Sequence, residues 1–195
     1  MAWNPQYCTN TDLKKYLRIP DVQDDGELST VIDAASRAID YACNRQFGKT
    51  DDLEQRTYKG HRSAWDCTTH VNTDDIADLT DLTITVDGTT VDPDSDLTWY
   101  PYNSVGNNRP YQGVAISGSH YPAIVQITAT WGWTAVPEAI KSATLLQASR
   151  FFARRQSPYG IAGSPEMGNE LRLLNKIDPD VAVIVAPYRR VWAVA

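Results

Sequence analysis

Residues 123–155 read AIVQITATWGWTAVPEAIKSATLLQASRFFARR. The opening alternates, with Ile124, Gln126, Thr128 and Thr130 set against Val125, Ile127, Ala129 and Trp131. Alternation with many β-branched residues predicts a strand. Gly132 breaks it, and Val136-Pro137-Glu138 opens a helix, since proline loses nothing in a first turn where its N–H would be unpaired. Glu138 sits at the positive end of that helix and Arg150, Arg154 and Arg155 at the negative end. The helix should run for about 20 residues, about 30 Å. Ala139, Ile140, Ala143, Leu145, Leu146, Ala148, Phe151 and Phe152 spread over more than one narrow stripe, so it should be covered on two sides, by this chain or by another copy.

Composition bounds the function. The chain has 195 residues, 42% apolar and 22% charged, with a formal net charge of −6. That is enough for one sizeable core, and the acidic balance argues against a protein that grips nucleic acid over its whole surface. Cys8, Cys43 and Cys67 are odd in number and far apart, which gives no disulfide framework and no compact metal motif. Cys43 reads as a small buried residue of a helix. The start, MAWNPQYCTN, has neither the basic region nor the apolar run of a secretory leader. No apolar run reaches membrane-spanning length. A protein made in a reducing cytosol, with no membrane partner, is expected. Ten tyrosines and six tryptophans suit interfaces, where a large apolar body carries one polar handle.

Outward from the central stretch, the chain reads as α+β, mainly helical: a small bundle of about four helices with a β-rich insertion between the second and third. One domain, 1–195, is expected, with 53–131 as the insertion and 178–195 as a C-terminal helix and tail. Thr9 and Asp12 form a capping box for a short helix that carries Leu13, Tyr16 and Leu17 and stops before Pro20. Asp21 to Asp25 is an acidic turn suited to capping a second helix over 24–44. There Leu28, Val31, Ile32, Ala35, Ala38, Ile39 and Ala42 recur at helical spacing, and Gly48 fits the terminating turn. The alanines predict close approach to the alanine-bearing face of the 137–156 helix. Candidate strands are 55–59, 65–67, 76–78, 82–86, 97–100, 114–116 and 124–130. Asp87-Gly88 signals a hairpin onto 89–91, and 103–110 is a loop or hairpin tip. Beyond the long helix, QSPYGIAGSP (156–165) is a loop. Ser164-Pro165-Glu166 starts a third long helical element with Leu171, Leu174 and Ile177 on its apolar face. Asp178-Pro179-Asp180 starts the last helix, with Val181, Ile184 and Val185 inward and Pro187 as its limit. The apolar tail that ends with Val191, Trp192 and Val194 should dock on this chain or on a partner.

No catalytic, cofactor-binding or metal-binding residues are assigned. His61, His70 and His120 lack partners at ligand spacing except Cys67, and one Cys-x-x-His pair falls short of the four ligands of a structural zinc site. Asp92 to Asp96 (DPDSD) lacks the glycine and closing glutamate of a calcium loop. Gly106 and Gly113 belong to no phosphate loop, and Ser117-Gly118-Ser119 has no nucleophile-elbow flanks. Arg154-Arg155, continuing to Ser157 and Tyr159, suits either a phosphate or, preferably, helix-end charge and salt bridges within or between subunits. Arg189-Arg190 is similar.

The order of these pieces resembles the head–tail connector (head completion, or adaptor) proteins of long-tailed double-stranded DNA bacteriophages. The likeness lies in Trp131-Gly132-Trp133, Val136-Pro137, the alanine-bearing helix, and Arg154-Arg155 with Ser157-Pro158 and Gly160. It extends upstream to the Thr11-Asp12-Leu13 helix and the 32–43 helix, through 79–82 and Arg109-Pro110-Tyr111 in the middle, and downstream to Asp178-Pro179-Asp180-Val181 and Tyr188-Arg189-Arg190. The segments 66–70 and 103–108 make the β section longer than in the smallest members. The resemblance implies a structural virion protein, not an enzyme, without cofactor. Its subunits would form a homo-oligomeric ring, typically a dodecamer, under the portal protein at the head–tail junction. The ring extends the channel through which duplex DNA passes without sequence-specific binding, and it offers a surface to a stopper or tail-completion protein. By the same resemblance, Val181, Ile184, Val185, Tyr188, Arg189, Arg190, Val191 and Trp192 are portal-binding candidates, and Arg150, Arg154, Arg155 and Tyr159 face a neighbouring subunit or the channel. The alternatives are another neck or tail-completion protein of similar fold, a hydrolase using the aspartates and histidines, or a DNA-binding regulator.

Overall fold

A computed structural model describes residues 4–63, 67–92, 96–118, 123–154, 161–162, 171–172 and 177–191. The chain divides into two compact units: one spans Gly48–Ala135, and the other joins Asn4–Phe47 to the chain from Val136 onward. Among the described residues, four α-helices lie in the second unit, and a six-stranded antiparallel sheet lies in the first, between the second and third helices in sequence. The fold is α+β. Helix and strand contribute about equally, so the sheet is a larger part of it than a mainly helical chain would have.

In the helical unit, α1 (Asn10–Leu17) begins with the expected capping box: Asp12 N–H donates to Thr9 Oγ1 at 3.2 Å and Thr9 N–H to Asp12 Oδ2 at 3.1 Å. The Thr9 hydroxyl, which donates to Asp12 Oδ2 at 2.6 Å, and then the Thr9 N–H hold the Asp12 carboxyl below its usual range. The second helix, α2 (Asp25–Cys43), departs from expectation at both ends. Asp24 is the N-cap residue, but its side chain makes no cap hydrogen bond, so the acidic turn acts there through its charge at the helix N-terminus. The stop is Asn44 rather than Gly48. Asn44 takes a left-handed φ of 51° and its N–H returns to Asp40 O, a conformation asparagine tolerates better than most residues. Helix α3 (Glu138–Arg154) follows Pro137 as expected, three residues shorter than the expected 20. The last helix, α4 (Pro179–Val185), is capped by Asp178 and passes into a 3-10 turn at Ala186–Tyr188. Leu13, Leu28, Ile32, Ala35 and Ala148 form the core, with Leu145, Phe151 and Phe152 packed against it. The second cover of α3 thus comes from this chain: α1, α2 and α4 all touch it.

One expected helix is corrected. Leu171–Arg172 is strand β8, paired antiparallel with β7 (Ile161–Ala162) in the register Ile161↔Arg172 and Ala162↔Leu171. Gly160, Gly163 and Gly168 surround this pair in the sequence, and each glycine costs a helix about 1 kcal/mol against alanine. The loop expected at 156–165 and the cap at Ser164 otherwise fall outside the described residues, as does Leu174.

The N-terminal arm lies along α2. Gln6 Nε2 donates to Ser29 Oγ at 3.0 Å, Arg37 Nη2 to Pro5 O at 2.9 Å, and Tyr7 N–H to Ser36 Oγ at 3.2 Å. The Tyr7 hydroxyl accepts the Phe47 N–H at 2.9 Å and donates to Asp40. Burial pushes the Asp40 carboxyl up to about 6, against the opposing pull of the Tyr7 hydroxyl and Arg37. A carboxyl raised in the folded state stabilises most when protonated. Its contribution is complete below its unfolded value of 3.8 and is lost as the pH rises through about 6. Asp40→Asn, which keeps an acceptor for Tyr7, should therefore be more stable than wild type near neutral pH, by about 1–2 kcal/mol. The advantage should vanish by about pH 4 in denaturant titrations run across that range.

In the sheet unit the strands are β1 (Glu54–Arg62), β2 (Thr68–Val86), β3 (Thr89–Thr90), β4 (Leu97–Tyr100), β5 (Tyr111–Ser117) and β6 (Ala123–Trp131), in the order β1-β6-β2-β5-β4 with β3 on β2. The two strands expected at 76–78 and 82–86 are parts of one 19-residue strand, β2. Its aspartate- and threonine-rich middle falls between the two expected strands. Irregularities between Asn72 and Ile76 and between Asp78 and Thr83 absorb the extra residues, as β-bulges do. β2 pairs with β5 through its first half and with β6 through its second, while its start meets the end of β1 at His61↔His70. The strand expected at 65–67 is not a strand at Cys67, which is a bend with a φ of 54°; 65 and 66 lie outside the described residues. The Asp87-Gly88 hairpin is present, with Val86 opposite Thr89. On β6, Val125, Ile127, Ala129 and Trp131 are all fully buried, as the alternation requires.

Trp131-Gly132-Trp133 closes this unit. The Trp131 indole N–H donates to Glu54 O at 2.7 Å, the ring packs beside Tyr58 at 5.8 Å, and Arg56 lies 4.5 Å over it. The Trp133 indole N–H reaches Asp75 Oδ2 at 2.9 Å in a buried setting. Between them Gly132 has a φ of +110°, donates to Asp75 O at 2.6 Å and bridges Lys49.

Candidate protein-binding site

Asp178 organises the helical unit's far end. Its Oδ1 accepts the N–H groups of Asp180 and Val181 at 2.7 and 3.4 Å, its N–H donates to Gln147 Oε1 at 3.1 Å, and its carboxylate forms an ion pair with Arg150 of α3. Asp178 and Gln147 are buried. Two of these interactions, to Gln147 and Arg150, tie the start of α4 to α3 and the other two cap α4, while Val181 and Val185 are buried beside them. Arg150 is a structural cation here, engaged within its own chain.

With α4 held in place, a groove of about 760 Å³ opens between α2, α3 and α4. Tyr41, Ala42, Phe151, Ile177 and Val185 give it an apolar lining, and Arg154 and Arg189 stand at it. Residues expected at two separate places in the chain, the end of the long helix and the C-terminal segment, therefore share one surface. The Arg154 guanidinium also lies 5.7 Å from the Phe151 ring. Tyr41, which the sequence reading does not single out, belongs to this surface. It is 88% exposed, and an exposed tyrosine two positions before a buried cysteine on an amphipathic helix was the available signal.

The other candidates divide. Val181 and Val185 are core residues and Ile184 is half-buried. Tyr188 packs its edge on Phe47 at 5.9 Å. Arg190 is buried: its N–H donates to Cys43 O at 2.7 Å and its carbonyl accepts Asn44 Nδ2 at 3.4 Å. The chain is thus pinned to the end of α2 just before Val191, which is 84% exposed. Arg155, Tyr159 and Trp192 lie outside the described residues.

Burial pushes the Cys8 thiol up to about 11 and the Cys43 thiol up to about 12, which makes both poor nucleophiles. Among the described residues, no three His, Cys, Asp or Glu side chains are grouped so that they could hold a metal ion. Cys67 is exposed, and His70 Nε2 is 2.8 Å from Thr68 Oγ1. No helix among the described residues is long and apolar enough to cross a membrane.

An apolar groove with arginines beside it is a surface of the kind that suits another protein. Residues 6–191 match the family model described as "Head completion protein", and the chain belongs to that family, a structural class rather than an enzyme class. No curated protein matches. Among solved structures, the chain is similar to one from the neck of an empty gene transfer agent particle computed with C6 symmetry: TM-score 0.52 and 15% identity, over 100% of this chain and 95% of that one. It is also similar to a chain of the virion of a native gene transfer agent particle, with TM-score 0.51 and 16% identity, over 97% of this chain and 92% of that one. At such identities the likeness is one of fold.

Proposed function

We propose that the protein is a ring adaptor of the virion neck, assembled between the portal vertex and the tail, where it extends the DNA channel and completes the head for tail joining. Membership of the head completion family over nearly the whole chain carries this reading. Its fold likeness to a protein of a particle neck agrees with it. The six-fold symmetry used for that neck is compatible with a twelve-membered ring, which contains a six-fold axis. A net charge of −6 suits a conduit along which duplex DNA slides, because basic walls would hold its phosphates. The portal contact is assigned to the exposed end of the C-terminal segment, Val191 with the apolar residues after it. Val181 and Val185 are committed to the core.

The test is electron microscopy of the protein mixed with the portal ring of its own particle. A collar below the portal is the expected result. Removing 191–195 should abolish the collar while the helical unit stays folded, because the deletion begins after Arg190. A collar that survives moves the portal contact elsewhere. Protein found only on tails would favour a tail-completion role.

A further inference from the structure

We propose that the ring contact is made by the acidic α1–α2 turn of one copy seated in the arginine-flanked groove of the next. This rests on the ring reading above. The turn carries Val22, 73% exposed, between Asp21 and Asp24. The Asp21 carboxylate accepts the Gln23 N–H at 3.2 Å, which shapes the turn and leaves Val22 at its tip. The groove supplies the complement: an apolar floor that includes Phe151, Ile177 and Val185, flanked by Arg154 and Arg189. Other large apolar side chains are exposed elsewhere but fit this groove less well: Leu53, beside Asp51, Asp52 and Glu54, is only 45% exposed. Val191 follows two arginines, and Val105 sits in an uncharged stretch.

Position makes the contact intermolecular. The turn lies at the N-terminal end of α2, and the groove is lined by Tyr41, Ala42 and Asn44 at its C-terminal end. A helix of that length separates them by about 28 Å, so the turn cannot fill its own groove. A knob and a hole at opposite ends of one rigid element make a heterologous contact, which generates a closed ring when its rotation closes. Opposite charges at the rim add orientation and speed of encounter more than affinity.

Disulfide trapping tests this. In a Cys67→Ser background, protein carrying Val22→Cys is mixed with protein carrying Ala182→Cys, a groove residue on α4, and oxidised. The control pair uses Val183→Cys, which is exposed on the same helix and turned away from Ala182 by about 100°. The expected result is several-fold more heterodimer with Ala182→Cys than with Val183→Cys. Adding Arg189→Glu should reduce that yield, and pairing it with Asp21→Lys on the other copy should restore it. Equal yields from the two pairs, or a yield unmoved by the charge reversals, would overturn the contact. A chain carrying both Val22→Cys and Ala182→Cys separates the two claims. If trapping favours the groove but the products stay open chains on the portal, the contact stands and the ring reading fails. Rings that form from wild-type protein without preferential trapping leave the ring and remove this contact.

Discussion

Gly132→Ala should be among the most damaging single changes in the sheet unit, with a loss of about 4 kcal/mol or more. Two costs combine. A side chain at φ +110° is strained in any surroundings, and a Cβ built there would lie 1.9 Å from Gly48 O and 3.1 Å from Lys49 Cα. Both obstacles are backbone. Yielding would break the Trp133 N–H bond to Gly48 O at 2.9 Å and the Gly132 N–H bond to Asp75 O, and would draw both tryptophans from their sites. Gly88→Ala is the control. Gly88 also has a left-handed φ, +84°, but no atom lies within 4 Å of the added Cβ, so only the conformational cost of about 1–2 kcal/mol remains. Denaturant unfolding followed by tryptophan fluorescence measures both. A similar, small loss from the two substitutions would show that the backbone at 48–49 gives way freely.

Asp178→Ala should cost the helical unit about 3–5 kcal/mol. It removes the cap of α4 and leaves Arg150 without its carboxylate in a partly buried site. Asp178→Asn separates the two parts. The amide keeps an oxygen for the N–H groups of Asp180 and Val181 and loses only the ion pair, so the loss should fall to about 1–2 kcal/mol. Arg150→Met, which removes the cation and keeps the stem, should lie close to Asp178→Asn, with the double variant far from additive. Circular dichroism in a denaturant series reads these values. Additive losses would mean that Asp178 and Arg150 are not coupled. A loosened α4 would also deform the groove, so trapping through Ala182→Cys should weaken in the same variants.

Much of the fold was legible because it depends on local chemistry. The Thr9/Asp12 box, the Asp178-Pro179 start, the Asp87-Gly88 hairpin and the alternation of 124–131 are short-range devices, and each lies where its residues dictate. The misreadings share a cause. The polar middle of β2 and Leu171–Arg172, which follows Gly168 by three residues, have weak local preference, and their strand partners decide their state: β5 and β6 for β2, and Ile161–Ala162 for Leu171–Arg172. The stop of α2 is a narrower case. Asn44 and Gly48 both suit a left-handed turn, and the earlier one ended the helix.

For the candidate site the division is sharper. The sequence alone determined α1 to α4, the apolar positions inside them, the arginines at 150, 154 and 189, and the tail's apolar character, since these are matters of residue type and period. Only the tertiary structure decided which of them are available. It placed Val181, Val185 and Arg190 within the unit, turned Arg150 to Asp178, and brought Tyr41, Phe151, Arg154 and Arg189 to one groove. The reason is physical. Periodicity says that a helix has a buried face, but which charge meets which carboxylate, and where a surface stays open, depends on how three helices far apart in sequence pack together.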